Sequence, residues 1–207
     1  MQGKFITLEG IEGSGKSTSL ENITNILKEN SINYVTTKEP GGGPLGGDLR
    51  SLLLNKDTDI SYEVELLLMM ADRKDHLDKL VTPNLNEGIW VVSDRYLDST
   101  YAYQGGGRQI DTSIIDNLSK TLGLLKPDLT LLFDISPDIA LERAQQRSSL
   151  DRFESEPMDF HNRIREAYID MAKLESDRIR VIDSSLDFDS VKNQVTSIIT
   201  KFINDWR

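Results

Sequence analysis

The sequence predicts an α/β fold on a parallel sheet, and three observations carry that reading. Short apolar runs rich in β-branched residues alternate with longer stretches of helical period. The short runs are continuous rather than alternating, as in strands buried on both faces of a parallel sheet. Glycine-rich stretches at 10–15 and 41–47 directly follow two of those runs. In open α/β sheets that is where ligands bind, beyond the carboxyl ends of the strands.

The elements follow in order. Strands are expected at 4–9, 34–37, 89–93, 129–134 and 178–182. Helices are expected at about 16–29, 44–55, 61–80, 111–123, 137–148, 157–175 and 187–206. The last is the best marked, because Phe188, Val191, Val195, Ile198, Ile199, Phe202 and Trp206 share one helix face, predicting a core-packing helix. A third glycine-rich stretch lies at 105–107, and by itself each of the three is compatible with an ordinary turn. The β-α-β-α succession implies right-handed crossovers. No repeat, low-complexity tract or linker interrupts 1–207, so a single domain is expected, and 207 residues suffice to bury its core.

Composition removes several classes of function. With 24 Lys+Arg against 34 Asp+Glu the net charge is −10, which argues against a binder of nucleic acid polymers or of anionic membranes. The absence of cysteine excludes a disulfide framework, a thiolate nucleophile and Cys-ligated zinc. His76 and His161 alone do not make a His-rich metal site. The longest apolar runs, 66–71 and 129–133, are far below the ~20 residues of a membrane span. No long apolar segment marks residues 1–9, so a soluble, cytoplasmic protein is expected.

Residues 10–17 read Gly-Ile-Glu-Gly-Ser-Gly-Lys-Ser and match G-x-x-x-x-G-K-[ST]. Gly10 and Gly15 free the backbone so that consecutive N–H groups can turn around phosphate oxygens. The helix that follows adds the positive end of its dipole. Lys16 is expected to reach the β- and γ-phosphates, and the Ser17 hydroxyl to sit on Mg²⁺. No Asn-Lys-x-Asp base reader of a switch GTPase follows a later strand; the one Asn-Lys pair is Asn55-Lys56. A small-molecule phosphotransferase fits a chain of this length best.

Other residues join the motif. Asp94 and Arg95 follow the expected strand 89–93: an acid suited to Mg²⁺ or its waters, and a guanidinium fork suited to phosphate. Asp134 ends another strand and serves equally well as a metal neighbour or a helix cap. Arg143, Arg147 and Arg152 form a local basic run that reads either as mobile cations for a transfer site or as a solvated helix face. Glu39, Arg50 and Arg73 read as surface charges by spacing alone, and Met69 and Met70 as core filler. The Gln104 amide offers a donor and an acceptor to a base.

At this point the chain resembles the thymidylate kinase family, over nearly its whole length. The matching segments are FITLEGIEGSGKST, TKEPGGGPLGGDLRSLLL, LLLMMADRKDH, VVSDRYLDSTYAYQGGGR, PDLTLLFDI and RAQQRSSLDRFE. The resemblance implies a P-loop NTPase fold with five parallel strands in the order 2-3-1-4-5, helices on both faces and a short LID at about 143–156. It implies transfer of the γ-phosphoryl group of ATP to dTMP, with Mg²⁺, in a homodimer. By family pattern Gly10, Ile11, Glu12, Gly13, Ser14, Gly15, Lys16, Ser17, Thr18 and Arg143 hold ATP. Glu39, Pro40, Arg50, Met69, Arg73, Arg95, Thr100, Tyr103 and Gln104 hold dTMP. Lys16, Arg95, Glu12, Arg147 and Arg152 are the expected catalytic set, Glu12 pairing with LID arginines. Ser17, Asp94 and Glu39 are expected around Mg²⁺. Met69 stands where the family usually has a Phe stacked on thymine, Lys38 where it has Arg, and Gly43 where Thr is frequent.

Overall fold

The computed structural model describes residues 2–146 and 150–206. Five parallel strands, β1 (Phe5–Glu9), β2 (Tyr34–Lys38), β3 (Trp90–Asp94), β4 (Leu129–Asp134) and β5 (Ile179–Asp183), form one sheet in the order β2-β3-β1-β4-β5. This is the order that the family resemblance implies. Burial on both faces holds for the three central strands; the edge strands β2 and β5 are partly exposed.

Helices α1 (Lys16–Glu29), α2 (Gly46–Leu54) and α3 (Tyr62–His76) match the expected periods, as do α6 (Thr112–Thr121), α8 (Met158–Leu174) and α9 (Phe188–Trp206). Two further short helices, α4 (Thr82–Asn86) and α5 (Leu97–Thr100), are legible only in the structure. The expected helix 61–80 is α3 capped by Ser61, whose Oγ accepts from Val64 N, and continued as a π-helical turn over Leu77–Val81. The glycines at 105–107 close a second π-helical run, Tyr101–Gly107, rather than an ordinary turn. Packing explains their size: a Cβ on Gly106 would stand 2.7 Å from Ala167 Cβ on α8. Helix α7 (Pro137–Gln145) stops short of the expected 148, and Arg147 lies outside the described residues.

Alternation along β1 splits the core between the two sheet faces. Ile6 and Leu8 pack with Ile23 and Leu27 of α1 and with Val195, Ile199 and Ile203 of α9. Trp90 sits edge-on to Phe202 and Trp206 in the same cluster. Each buried Ile or Leu there contributes about 1.5–3 kcal/mol of transfer free energy. Phe5 belongs to a cluster with Leu77, Val81 and Tyr96. Leu132 packs with Phe160, Ile164 and Tyr168 of α8. The α9 stripe is therefore the expected core face except at its first residue: Phe188 is 62% exposed, because it opens the helix beyond the sheet. Among the described residues no helix is long and apolar enough to cross a membrane.

Register fixes where the strand ends meet. Leu8 is level with Asp94 on one side, and Lys38 is level with Asp94 on the other. The loops after β1, β2 and β3 therefore open on one edge of the sheet.

Candidate active site

The loop after β1 is shaped by glycines with positive φ, at Gly10, Gly13 and Gly15. Gly13 is the tightest: its φ is +77°, and a Cβ there would meet the Ala140 carbonyl oxygen on α7 at 2.1 Å. Gly15 precedes α1 in the left-handed conformation and exposes the helix N-terminus. Lys16 folds back across its own loop, donating to Gly10 O and Ile11 O at 2.9 Å each and to Ser14 Oγ at 3.4 Å. Burial holds its ammonium below the ordinary lysine value and Arg95 adds to that, while Glu12, Asp94 and Glu9 oppose it. Glu12, Gly13, Ser14, Gly15, Lys16, Ser17, Thr18 and Arg143 line one open cleft. Gly10 and Ile11 face elsewhere: their carbonyls receive Lys16, and the Ile11 side chain lies in the apolar cluster under α8. An adjoining hollow continues past Arg143 to Ser184, Leu186, Phe188 and Val191.

A second pocket, about 540 Å³ and partly open to solvent, lies on the other side of Glu12. Glu39, Pro40, Arg50, Met69, Arg73, Arg95, Thr100, Tyr103 and Gln104 all line it. Leu54, Ser99, Asp151 and Phe153 line it as well and were not anticipated. The residues come from the ends of β2 and β3, from α2 and α3, from α5 and the π-helical run after it, and, for Asp151 and Phe153, from the segment before α8.

Arg95 stands where the two pockets join. Its backbone is in the left-handed region, with φ +72°. It is held there by Arg95 N donating to Leu8 O at 2.9 Å and Ser93 Oγ donating to Arg95 O at 2.7 Å. Such a conformation costs about 1–3 kcal/mol in a non-glycine residue and persists only where its surroundings impose it. The guanidinium donates to Glu12 Oε1 at 2.6 Å, Tyr103 OH at 2.9 Å and Ser99 Oγ at 3.1 Å. Burial pushes the phenols of Tyr103 and Tyr168 above the ordinary tyrosine value.

Arg73 is 2% exposed, and donates to Glu39 Oε2 at 2.7 Å, Thr100 Oγ1 at 2.7 Å and Tyr96 O at 2.9 Å. Glu39 Oε1 is bonded to His76 Nδ1 at 2.8 Å, and His76 Nε2 to Thr37 Oγ1 at 2.8 Å. Both Glu39 oxygens are thus engaged in a buried ion cluster. That departs from the metal role implied by the resemblance: here Glu39 orients Arg73. Arg50 donates to Pro40 O at 2.8 Å.

Arg152 also departs from expectation. In place of a mobile cation over the phosphate loop, it donates to Leu53 O at 2.8 Å and to Glu65 Oε2 at 2.7 Å. Asp134 forms a two-bond ion pair with Arg165 of α8, which gives it the structural role. Among the described residues no group of three or more His, Asp or Glu side chains is arranged to hold a metal. A smaller donor set does fit: Asp94 Oδ1 is buried with no hydrogen-bond partner, and Ser17 lines the phosphate cleft.

Glu9 is the residue that the sequence reading passed over. It ends β1, is fully buried, and accepts from Tyr96 N at 2.8 Å, Ser99 Oγ at 2.6 Å and Tyr168 OH at 2.8 Å. Its only sequence signal is an acid at a strand end next to the motif.

A phosphate loop joined through a largely buried arginine to a second cationic pocket, on this sheet order, defines a P-loop nucleotide kinase. Comparison with known proteins narrows the class. The sequence model of the thymidylate kinase family matches residues 8–195. The thymidylate kinase of Nitrosomonas europaea is 45% identical over 205 residues, covering 99% of this chain and 95% of that one. That of Oleidesulfovibrio alaskensis is 46% identical over 204 residues, covering 94% and 96%. The crystal structure of thymidylate kinase from Ehrlichia chaffeensis superposes with a TM-score of 0.78 at 33% identity, covering 97% of this chain and 99% of that one. The chain belongs to the thymidylate kinase family.

Proposed function

We propose that this chain transfers the γ-phosphoryl group of ATP to dTMP, giving dTDP and ADP, as a single-domain cytoplasmic enzyme in dTTP synthesis. The observation that carries the reading is the 2.6 Å contact between Glu12 of the phosphate loop and Arg95 of the second pocket. It brings a site built for ATP phosphates against a site built for a second phosphate.

An oxygen of the dTMP phosphate attacks the γ-phosphorus in line. The bond to the oxygen bridging the β- and γ-phosphates breaks, and that oxygen leaves on ADP. The nucleophile is already anionic, so the protein supplies position and charge rather than a strong base. Lys16 serves the β- and γ-phosphates, and Arg95 and Arg50 hold the acceptor phosphate. Glu12 keeps Arg95 aimed between them. Ser17 and Asp94 would hold Mg²⁺, which when bound would offset the charge of the ATP phosphates. Arg143 and the hollow beside it, with Phe188 and Val191, take the ATP nucleoside. Arg147 belongs to the proposal as a cation of the LID. The thymine lies along Met69, its edge toward Arg73, Thr100 and Gln104, while Tyr103 crowds the sugar where a ribose would carry its 2′-hydroxyl.

A homodimer is part of the proposal, and exposed Val64 and Leu67 on α3 and Ile114 on α6 support it. The test of the activity is a coupled ADP-release assay with Mg·ATP and a panel of monophosphates. Release that requires dTMP, and exceeds that with GMP, AMP or thymidine, is expected. Release independent of dTMP would indicate a nucleotide switch, and a preference for another acceptor would refute the pocket assignment.

A further inference from the structure

Glu65 is a buried carboxylate that no step of the reaction above uses. It sits in the first turn of α3 and has no solvent exposure. Its Oε1 accepts from Gln104 Nε2 at 2.8 Å. Its Oε2 accepts from Arg152 Nη1 at 2.7 Å and from Arg108 Nη2 at 3.1 Å, with Arg108 Nε 3.3 Å from both oxygens. A carboxylate between two guanidiniums has only lone pairs to offer. The edge of the Gln104 amide that faces it must therefore be the –NH₂. An amide that could otherwise flip by half a turn is locked in one orientation. Its carbonyl oxygen is the group left for the pocket that Gln104 lines.

We propose that Glu65 is a positioning residue for base selectivity: it holds Gln104 as a hydrogen-bond acceptor, which selects a pyrimidine carrying a hydrogen on N3. Thymine carries that hydrogen. Neutral cytosine has a lone pair there, and two acceptors would face each other. This rests on the reading that Gln104 meets the base edge.

The substitution Glu65→Gln separates charge from shape. Three of the four guanidinium contacts, the two shortest among them, fall on Oε2, so the new amide places its oxygen there. Its –NH₂ then takes the Oε1 position and turns the Gln104 carbonyl toward itself. Gln104 now presents a donor to the pocket, which suits the cytosine pattern.

The measurement is the ratio of kcat/KM for 5-methyl-dCMP to that for dTMP, which keeps the 5-methyl group constant. In the wild type dTMP is favoured by at least about a hundredfold; equal use of the two would overturn the proposal at once. Glu65→Gln raises the 5-methyl-dCMP:dTMP ratio by about tenfold or more, the scale of one reversed hydrogen bond. Arg108→Met disturbs the same ion cluster without touching the amide contact, and its ratio stays within about twofold of wild type. A shift in Arg108→Met as large as in Glu65→Gln would mean that cluster integrity, not acceptor identity, matters, and would refute the proposal. Gln104→Leu distinguishes the underlying reading. If that variant leaves the ratio unchanged, Gln104 does not meet the base. If it shifts the ratio and Glu65→Gln does not, Gln104 reads the base but Glu65 does not orient it. Should Glu65→Gln fail to fold, the double variant with Arg108→Met restores the charge balance, keeps Arg152 on the oxygen, and gives the same rise.

Discussion

Replacing Glu9 by Gln isolates the cost of a buried charge. In the unfolded chain this carboxyl titrates near 4.5; in the fold, burial and then Asp98 push it up to about 7, against the hydrogen bonds of Ser99 and Tyr168 and the charge of Arg95. Between those values the native protein holds a proton that the unfolded chain has released. Stability therefore falls as pH rises through this window, by up to about 1.4 kcal/mol per pH unit. Below the window the group costs nothing; above it the whole penalty, about 3 kcal/mol, is present. From pH 5.5 to 8 the wild type loses about 2 kcal/mol through this one residue. Glu9→Gln cannot titrate, so wild-type stability minus variant stability declines by that amount over the same range. Urea denaturation of both proteins at several pH values gives the difference directly, and carboxylates that do not interact with Glu9, including Asp72 at about 6, cancel in it. A difference that stays flat within about 0.5 kcal/mol would refute the reasoning.

Four more outcomes are expected. Lys16→Met lowers kcat by roughly 10²–10³-fold or more while thermal unfolding stays cooperative, since a buried point charge on the phosphates is lost but the loop glycines remain. Gly13→Ala destabilises by about 2–4 kcal/mol in chemical denaturation, combining a left-handed backbone with a clash on Ala140. Gly47→Ala on α2 meets no atom within 4 Å and gains about 0.5–1 kcal/mol in the same assay. Met69→Phe strengthens stacking on the base and lowers the KM for dTMP by roughly two- to tenfold, read from steady-state kinetics.

Much of the fold was legible because its signals are local. A continuous apolar run bounded by glycine reads as a buried strand, and the stripe on α9 reads as a core face, without knowledge of partners. The phosphate loop was legible for the same reason: its glycines, lysine and serine are contiguous. The second pocket was legible as a whole only through family resemblance, since Glu39, Arg50 and Arg73 are scattered and each looks like an ordinary surface charge; Arg95 and Gln104 alone pointed to a phosphate and a base from their chemistry. What escaped both readings is long-range. Glu9 meets Tyr168 across 159 residues and Glu65 meets Arg152 across 87, and no spacing rule announces such pairs. The π-helical run Tyr101–Gly107 escaped because its bonding reflects close packing of α8 rather than local propensity. The partner of Arg152 was hidden for a related reason: its charge was visible, but the buried carboxylate that it meets was not.

The register of β1 against β3 has a consequence of its own. The donor loop starts just beyond Leu8 and the acceptor arginine just beyond Asp94, and these two residues are neighbours in the sheet. A backbone bond from Arg95 N to Leu8 O ties the two rails one residue further on. Adjacent strands stand about 4.8 Å apart. In the proposed reaction the gap that the phosphoryl group crosses is therefore gauged by the sheet, and not by the helices proposed to read the base. Base recognition and transfer distance become separately adjustable: α3 and the π-helical run can change to admit another base while the gauge stays as it is.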